Sequence, residues 1–330
     1  MNRKIILIPA ALAVALLTVC GMVAVKNSDQ TYRSLFDRHM RVIPPETPGQ
    51  ASFAGEEAPL DLYYVREALE REIMAGTFMH SNTVMVLKRA HRMFPVIEPI
   101  LKRNGVPDDF KFLAVAESNL LNVTSPAGAE GYWQFMEAAG KKHGLEINDR
   151  VDERYNLEKA TQAACEYLLE ARQKFGSWTL AAAAYNRGPD GLQRALDSQK
   201  AGNYYDLYLN DETARYVYRI MAIKEIWNKP VRYGFLLREQ DLYPVIPTRQ
   251  VSVDSAIADL PAFARSQGTT YRVLRELNPW IHHYNLPNKD NKTYVFRFPQ
   301  EGALSMKNLM QSMPSGETFY HDTLRINEIH

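Results

Sequence analysis

The sequence predicts a mainly α fold closed by a small α+β unit. From Asp61 to about Trp227, apolar residues recur at the three- and four-residue spacings of amphipathic helices. Past Tyr233 the texture changes. Two alternating segments, "TRQVSV" and "TYVFRFP", bracket two short helical patterns, "SAIADLPAFARSQG" and "TYRVLRELNPW". At 330 residues the chain is long enough for two domains and a sizeable core. Its 46% hydrophobic content is that of a globular protein, and a net charge of +1 gives no global signal for nucleic acid.

The elements follow in order. Asn2-Arg3-Lys4 is a basic start to an uncharged apolar run from Ile5 to Val25, so 1–25 reads as a signal peptide or a membrane anchor. A run of about 20 residues is long enough to span a bilayer. Cys20, preceded by "LLTV", adds lipid anchoring as a third option. Each option places the rest of the chain in the periplasm or cell envelope. Residues 26–60 contain "RVIPPETPGQASFAGEEAPL", rich in Pro, Gly and charge, and read as a linker. A helical domain is expected over 61–240, built on "DLYYVREALEREIM", "TVMVLKRAHRMFPVIEPILKRNG" and "LEKATQAACEYLLEARQKFG". Arg103-Asn104-Gly105 and Pro107 stop one helix and feed the segment "FKFLAVAE". Cys165 lies on an amphipathic helix with Ala164, Leu168 and Phe175, and reads as a buried thiol rather than half of a disulfide. The small α+β unit is expected over 245–300. A polar, Met-rich tail without period, expected to be poorly ordered, fills 301–330.

Within the helical domain, Glu117 ends the apolar run Leu113-Ala114-Val115-Ala116. A carboxyl at the edge of a buried surface has a raised pKa and can act as a proton donor near neutral pH. A turn follows, Ser125-Pro126-Ala127-Gly128-Ala129, and then Gly131-Tyr132-Trp133-Gln134-Phe135-Met136. Gly131 allows close approach of a ligand or a second backbone. Gln134, set among aromatics, has a donor and an acceptor that suit an N-acetyl group or a sugar hydroxyl. Tyr185 and Asn186 precede a helix stop at Gly188-Pro189. Glu212 and Tyr216 lie in a further helical pattern with Ile220 and Ile223. His80 and His91 are isolated and His282-His283 are adjacent in a loop, so no set has metal-ligand spacing.

Four segments together resemble one family. Glu117-Ser118, Ser125 to Gln134, Ala184 to Gly188, and Glu212 to Val217 occur in the order found in the lysozyme-like lytic transglycosylases, glycoside hydrolase family 23. The long first motif and "LEINDRVDERYNLEKATQAACEYL" look most like the membrane-bound D-type subgroup, and the resemblance covers roughly Leu60 to Pro299. Leu120 and Leu121, Tyr132, Glu137 and Arg187 depart from the subgroup pattern. The strand–helix–helix–strand region resembles a LysM module, with "DSAIADL" where a glycine-aspartate-threonine start is usual.

The resemblance implies a lysozyme-like helical catalytic domain with a LysM-like C-terminal domain, acting on peptidoglycan glycan strands without a cofactor. Glu117 would protonate the oxygen between N-acetylmuramic acid and N-acetylglucosamine. The same group, once ionised, would deprotonate the C6 hydroxyl that closes a 1,6-anhydro ring. Ser125 and Tyr185 would position the acetamido group, and Gln134 and Asn186 would hold sugar polar groups. Met136 would line the cleft, and Glu212 and Tyr216 would shape its far wall. A hydrolytic muramidase and a non-catalytic wall-binding protein are the alternatives. No nucleic acid partner is implied; the N-terminal segment would provide membrane contact.

Overall fold

The computed structural model describes residues 30, 31, 33, 34, 42–311 and 313. The signal or anchor reading over 1–25 lies outside them. Among the described residues no helix is long and apolar enough to cross a membrane. The chain divides into a first unit, Met1–Pro44, and a second, Pro45–His330, which holds everything that follows.

The helical part begins with α1 (Tyr63–Phe78) and α2 (His80–Arg103), followed by the short α3 (Lys111–Ser118). Phe112, Leu113, Ala114 and Val115 are all buried, so α3 is apolar around most of its circumference and runs through the core. Even its first residue, Lys111, is buried, paired with Glu98 at 2.7 Å and Asp108 at 2.5 Å. Helix α4 (Glu137–Lys142) precedes the long amphipathic α5 (Leu157–Phe175). Helix α6 (Trp178–Arg187) carries Ala181 to Ala184, each fully buried, and these small side chains let α6 pack closely against α5. Helices α7 (Pro189–Gln199) and α8 (Asp211–Asn228) complete this part, with α8 packed on both α1 and α3. Cys165 is a buried free thiol, and burial pushes its pKa up to about 12.

The C-terminal part pairs β3 (Thr248–Val253) with β4 (Tyr294–Pro299) as an antiparallel ribbon, in register from Thr248 opposite Pro299 to Val253 opposite Tyr294. Between these strands lie α9 (Leu260–Ser266) and α10 (Tyr271–Leu277). Both helices are shorter than the sequence patterns suggested: Asp259 starts and caps α9, and α10, capped by Thr270, ends at Leu277. The inward side chains Phe296 and Phe298, with Leu260, Leu274 and Ile281, form a separate small core. Val151, from the helical part, is buried in that same core.

Two expectations are corrected. The linker reading over 26–60 fails for its second half. Ser52–Phe53 (β1) and Glu56–Glu57 (β2) form a hairpin whose Phe53 is fully buried against Phe110, with ring centroids 4.9 Å apart. One buried aromatic in a Pro- and Gly-rich stretch leaves no periodic signature, so composition misleads there. The tail reading over 301–330 fails at its start. Helix α11 (Met306–Gln311) buries Leu309, and Ala303 is buried before it. Residues 314–330 lie outside the described residues.

Candidate active site

Helix α3 ends at Ser118, where Asn119 and Leu120 both take left-handed backbone conformations. That reversal places Glu117 in the last turn, at the border of core and cleft. The Asn119 carbonyl is held by Arg89 Nε at 2.8 Å. Buried Ser118 donates to the Tyr132 carbonyl at 2.7 Å, tying the helix end to the following turn.

Glu117 is partly buried, and the Tyr216 hydroxyl of α8 donates to its Oε1. Burial is the largest influence on the carboxyl and raises its pKa. The Tyr216 hydrogen bond opposes this, nearby Glu212 adds to it and Arg219 opposes it, leaving the group at about 7. Tyr216 and Tyr185 are held well above the usual phenol range, first by burial and next by the charge of Glu117. Both therefore remain neutral near pH 7.

The segment 123–136 is tied to the end of α3 through Ser118 and to Tyr185 through the Trp133 carbonyl. Isolated bridges pair Thr124 with Glu130 and Glu130 with Phe135. Within it Ser125 Oγ accepts from the Ala129 N–H at 2.9 Å, so its hydroxyl shapes its own turn. Gln134 has a positive φ of 50°, and its Nε2 donates to the carbonyls of Val123 and Gly131, both at 2.8 Å. Its amide oxygen is the atom left for a ligand. Gly131 answers the question that its sequence position raised: a Cβ there would sit 2.0 Å from the Arg154 carbonyl oxygen, so the close approach is to a second backbone. Trp133 is fully buried and donates to Thr161 Oγ1 at 2.9 Å, while Met136 is 48% exposed at the rim.

Tyr185 in α6 donates its hydroxyl proton to the Trp133 carbonyl at 2.7 Å. This leaves Tyr185 only acceptor capacity toward a ligand. Asn186 Oδ1 accepts from Thr213 Oγ1 at 2.8 Å, and its Nδ2 lies 3.3 Å from Glu212 Oε1. The structure thus brings Tyr216 and Tyr185 to Glu117 and pairs Asn186 with Glu212, so that Tyr216 is a direct partner of Glu117 rather than part of a far wall. Glu130, the acidic residue of the 123–136 segment, is paired with Arg154 at 3.1 Å.

Sequence reasoning missed the charges behind the cleft. Glu72, only 5% exposed, lies 2.6 Å from Arg215 Nε, 3.3 Å from Arg71 and 3.7 Å from Arg219. Ala116, Asn119, Glu72, Arg215 and Arg219 line one crevice of about 330 Å³ beside Glu117. The available signal was helical spacing: Arg219 follows Tyr216 by one turn and shares its face. Asp152 and Arg154 were also missed. Both are buried, with Arg154 Nη2 at 2.6 Å from Asp152 Oδ2.

Residues 94–208 match the transglycosylase SLT domain, and residues 249–302 match the soluble lytic transglycosylase C-terminal LysM-like domain. The chain is similar to membrane-bound lytic murein transglycosylase D of Escherichia coli K12, 28% identical over 199 residues, and equally to that of Escherichia coli O6:H1. The match takes in 58% of this chain and spans 43% of the length of these curated relatives. Among solved structures, the 70 kDa soluble lytic transglycosylase of Escherichia coli is 20% identical with a TM-score of 0.37, over 42% of this chain and 24% of that one. An inactive variant of lytic transglycosylase Slt from Pseudomonas aeruginosa gives 20% and 0.36 over the same shares.

Proposed function

We infer that this chain, which carries an SLT domain followed by a LysM-like domain, is a peptidoglycan lytic transglycosylase. The observation that carries the reading is Glu117, a partly buried carboxyl held at about 7 with Tyr216 donating to it. Such a group is substantially protonated at neutral pH and gives up its proton without a large free-energy cost. It therefore serves as an acid in one step and a base in the next.

In the proposed reaction Glu117 donates its proton to the oxygen linking N-acetylmuramic acid to N-acetylglucosamine. The C1–O bond breaks, and the substrate's own 2-acetamido group supports the positive C1. The ionised Glu117 then takes the proton of the C6 hydroxyl as that oxygen bonds C1. Atoms and charge balance with no water consumed. Glycosidases ordinarily need two carboxylates, but here Glu130 is engaged by Arg154, which favours the single-carboxylate route. Tyr216 steadies the carboxylate form by its hydrogen bond. Tyr185 accepts from the acetamido N–H, and the oxygen of Gln134 accepts from sugar donors. Ser125 acts through the shape of its turn, while Asn186 and Glu212 bind sugar hydroxyls at one side of the cleft. Met136 gives an apolar surface at the rim.

The basic start and apolar run before Lys26 support export to the envelope, with the segment kept as an anchor, removed, or replaced by lipid at Cys20. Cell fractionation and palmitate labelling separate these fates. Digestion of purified peptidoglycan, followed by mass analysis of the product ends, tests the reaction. Ends lighter by one water than reducing ends are expected. Reducing ends would indicate a hydrolytic muramidase, and binding without cleavage would indicate a wall-binding protein.

A further inference from the structure

We propose that the LysM-like part is a positioning element of the catalytic cleft, acting through the segment 150–155 to hold the Glu130–Phe135 turn. This rests on the activity inferred above. The two parts do not merely touch. They exchange main-chain hydrogen bonds: Asp152 N–H donates to the Trp280 carbonyl at 2.8 Å, and His282 N–H donates to the Arg150 carbonyl at 2.9 Å. These bracket an antiparallel bridge between Val151 and Ile281. Val151 and Ile281 are both buried in the C-terminal core, so separating the parts would expose apolar surface as well as orphan backbone groups. Side chains extend the contact. Arg150 Nη1 donates to Asn285 Oδ1 at 2.9 Å, and Tyr294 donates to Glu146 at 3.1 Å.

From this paired strand the path to the cleft is short and made of direct bonds. Asp152 Oδ1 accepts from both the N–H and the Nε of Arg154, and Oδ2 accepts from Nη2. The fixed guanidinium then donates to the Phe135 carbonyl at 3.3 Å and pairs with Glu130 at 3.1 Å. Glu130 and Phe135 are the two ends of the turn that presents Gln134, and the Arg154 carbonyl lies under Gly131. A second link runs through Tyr155, whose ring meets the His282 ring at 5.3 Å and whose hydroxyl bonds Thr124 at 3.2 Å. Asp152, Arg154 and His282 are therefore positioning residues: none reaches the cleft, and each constrains a group that does. A turn held from behind by a buried, charge-assisted fork is stiffer than its own few hydrogen bonds make it.

The test uses the full chain and hydrogen–deuterium exchange of residues 129–136. Their amides are protected within the turn, including those of Glu130, Gly131 and Phe135. His282→Pro removes the donor to Arg150 and the ring on Tyr155. Arg154→Gln cuts the last link while leaving the main-chain pairing in place. Both should speed exchange of 129–136 by about tenfold or more while exchange in α5 and α6 stays unchanged. On a soluble uncrosslinked glycan strand, both should lower kcat by about tenfold with KM changed by less than about threefold. The alkaline limb of the pH profile should stay in place, because Glu117 is untouched. If His282→Pro does not fold, His282→Ala, which removes the ring on Tyr155, takes its place. Unaltered exchange of 129–136 in the folded His282 variant would overturn the proposal. A wild-type chain that cleaves no glycan would overturn the activity reading instead, and the exchange experiment would still decide the structural one.

Discussion

The hydroxyl of Tyr216 donates directly to Oε1 of Glu117, joining the end of α3 to the first half of α8. The carboxyl is thereby poised between opposing influences. Burial and Glu212 favour the neutral acid, while Tyr216 and Arg219 favour the anion, and burial is the largest of the four. The balance at about 7 is a property of four side chains on two helices, so it can be moved in either direction.

The alkaline limb of activity should follow those signs. In the proposed role of acid, Glu117 must be protonated, so activity should fall as pH rises through its pKa. Arg219→Met removes a cation that lowers the pKa, so the limb should move to higher pH. Tyr216→Phe removes a donor to the anion and should move it the same way. Glu212→Gln removes an anion that raises the pKa, so the limb should move to lower pH. Rates on a soluble glycan strand between pH 5 and 9, to about half a unit in each limb, check this. Shifts of the same sign for Arg219→Met and Glu212→Gln would contradict the electrostatic account.

Glu117→Gln keeps the shape and an acceptor for Tyr216 but has no proton to donate. Turnover should fall about 10²–10⁴-fold. Stability should change in the opposite sense. The folded pKa of Glu117 lies above its ordinary value of 4.5, so the folded chain favours the protonated form. That contribution is present in full below the ordinary value and is lost as pH rises through about 7. Above that pH the wild type carries a buried charge that the amide lacks. At about 1.4 kcal/mol per unit, the difference is on the order of 3 kcal/mol. Glu117→Gln should therefore melt higher than wild type at pH 8 and equally at pH 4. Equal melting at both pH values would mean that the carboxyl is not destabilised by burial.

Helical periodicity made most of α1, α2, α5 and α8 legible, because a face buried against a neighbour must repeat every three or four residues. Glu117 was legible as a carboxyl after an apolar run. The hairpin at Ser52–Glu57 was not, since one Phe and one Glu do its work without repeating. Arg154 was not legible because a buried arginine and a solvated one have the same letter. Only the three-dimensional placement of Asp152 and Glu130 distinguishes them. The commitments of Ser125, Gln134 and Tyr185 to neighbouring backbone were hidden for the same reason: their partners are main-chain atoms, which carry no sequence signature.

Two glycines in the cleft wall should respond very differently to alanine. At Gly131, φ is 81° and an added Cβ would meet the Arg154 carbonyl oxygen at 2.0 Å, a clash with backbone that cannot rotate away. At Gly128, φ is 85° but nothing lies within 4 Å. Gly128→Ala should cost about 1–2 kcal/mol, the penalty of the left-handed conformation alone. Gly131→Ala should cost clearly more and displace the turn that holds Gln134, so activity should fall well beyond the loss of folded protein. Melting curves and rates normalised to folded fraction compare the two; similar costs would refute the close-packing argument.

Glu56, in the stretch expected to be a linker, caps the helix that carries Tyr185 and Asn186. Its carboxylate accepts from Ser177 Oγ at 2.7 Å, from the Trp178 and Thr179 N–H groups at 2.7 and 2.9 Å, and from Thr179 Oγ1 at 2.6 Å. The Trp178 and Thr179 N–H groups are donors that the first turn of α6 leaves without helical partners, and a negative charge there also complements the helix dipole. Partial burial works to raise the pKa of Glu56, but the Thr179, Ser177 and backbone hydrogen bonds outweigh it and hold the group below its ordinary value. The stability contributed by this depressed pKa is therefore present above about pH 4.5 and is lost as pH falls through the folded value. Glu56→Ala should cost about 1–3 kcal/mol at pH 7, the range for hydrogen bonds to a charged group and for helix caps. Glu56→Gln, which keeps the shape without the charge, should recover part of that loss. The gap between wild type and Glu56→Gln should narrow as pH is lowered toward 3. A constant gap across that range, followed by thermal melting, would show that the charge of Glu56 contributes nothing to holding α6.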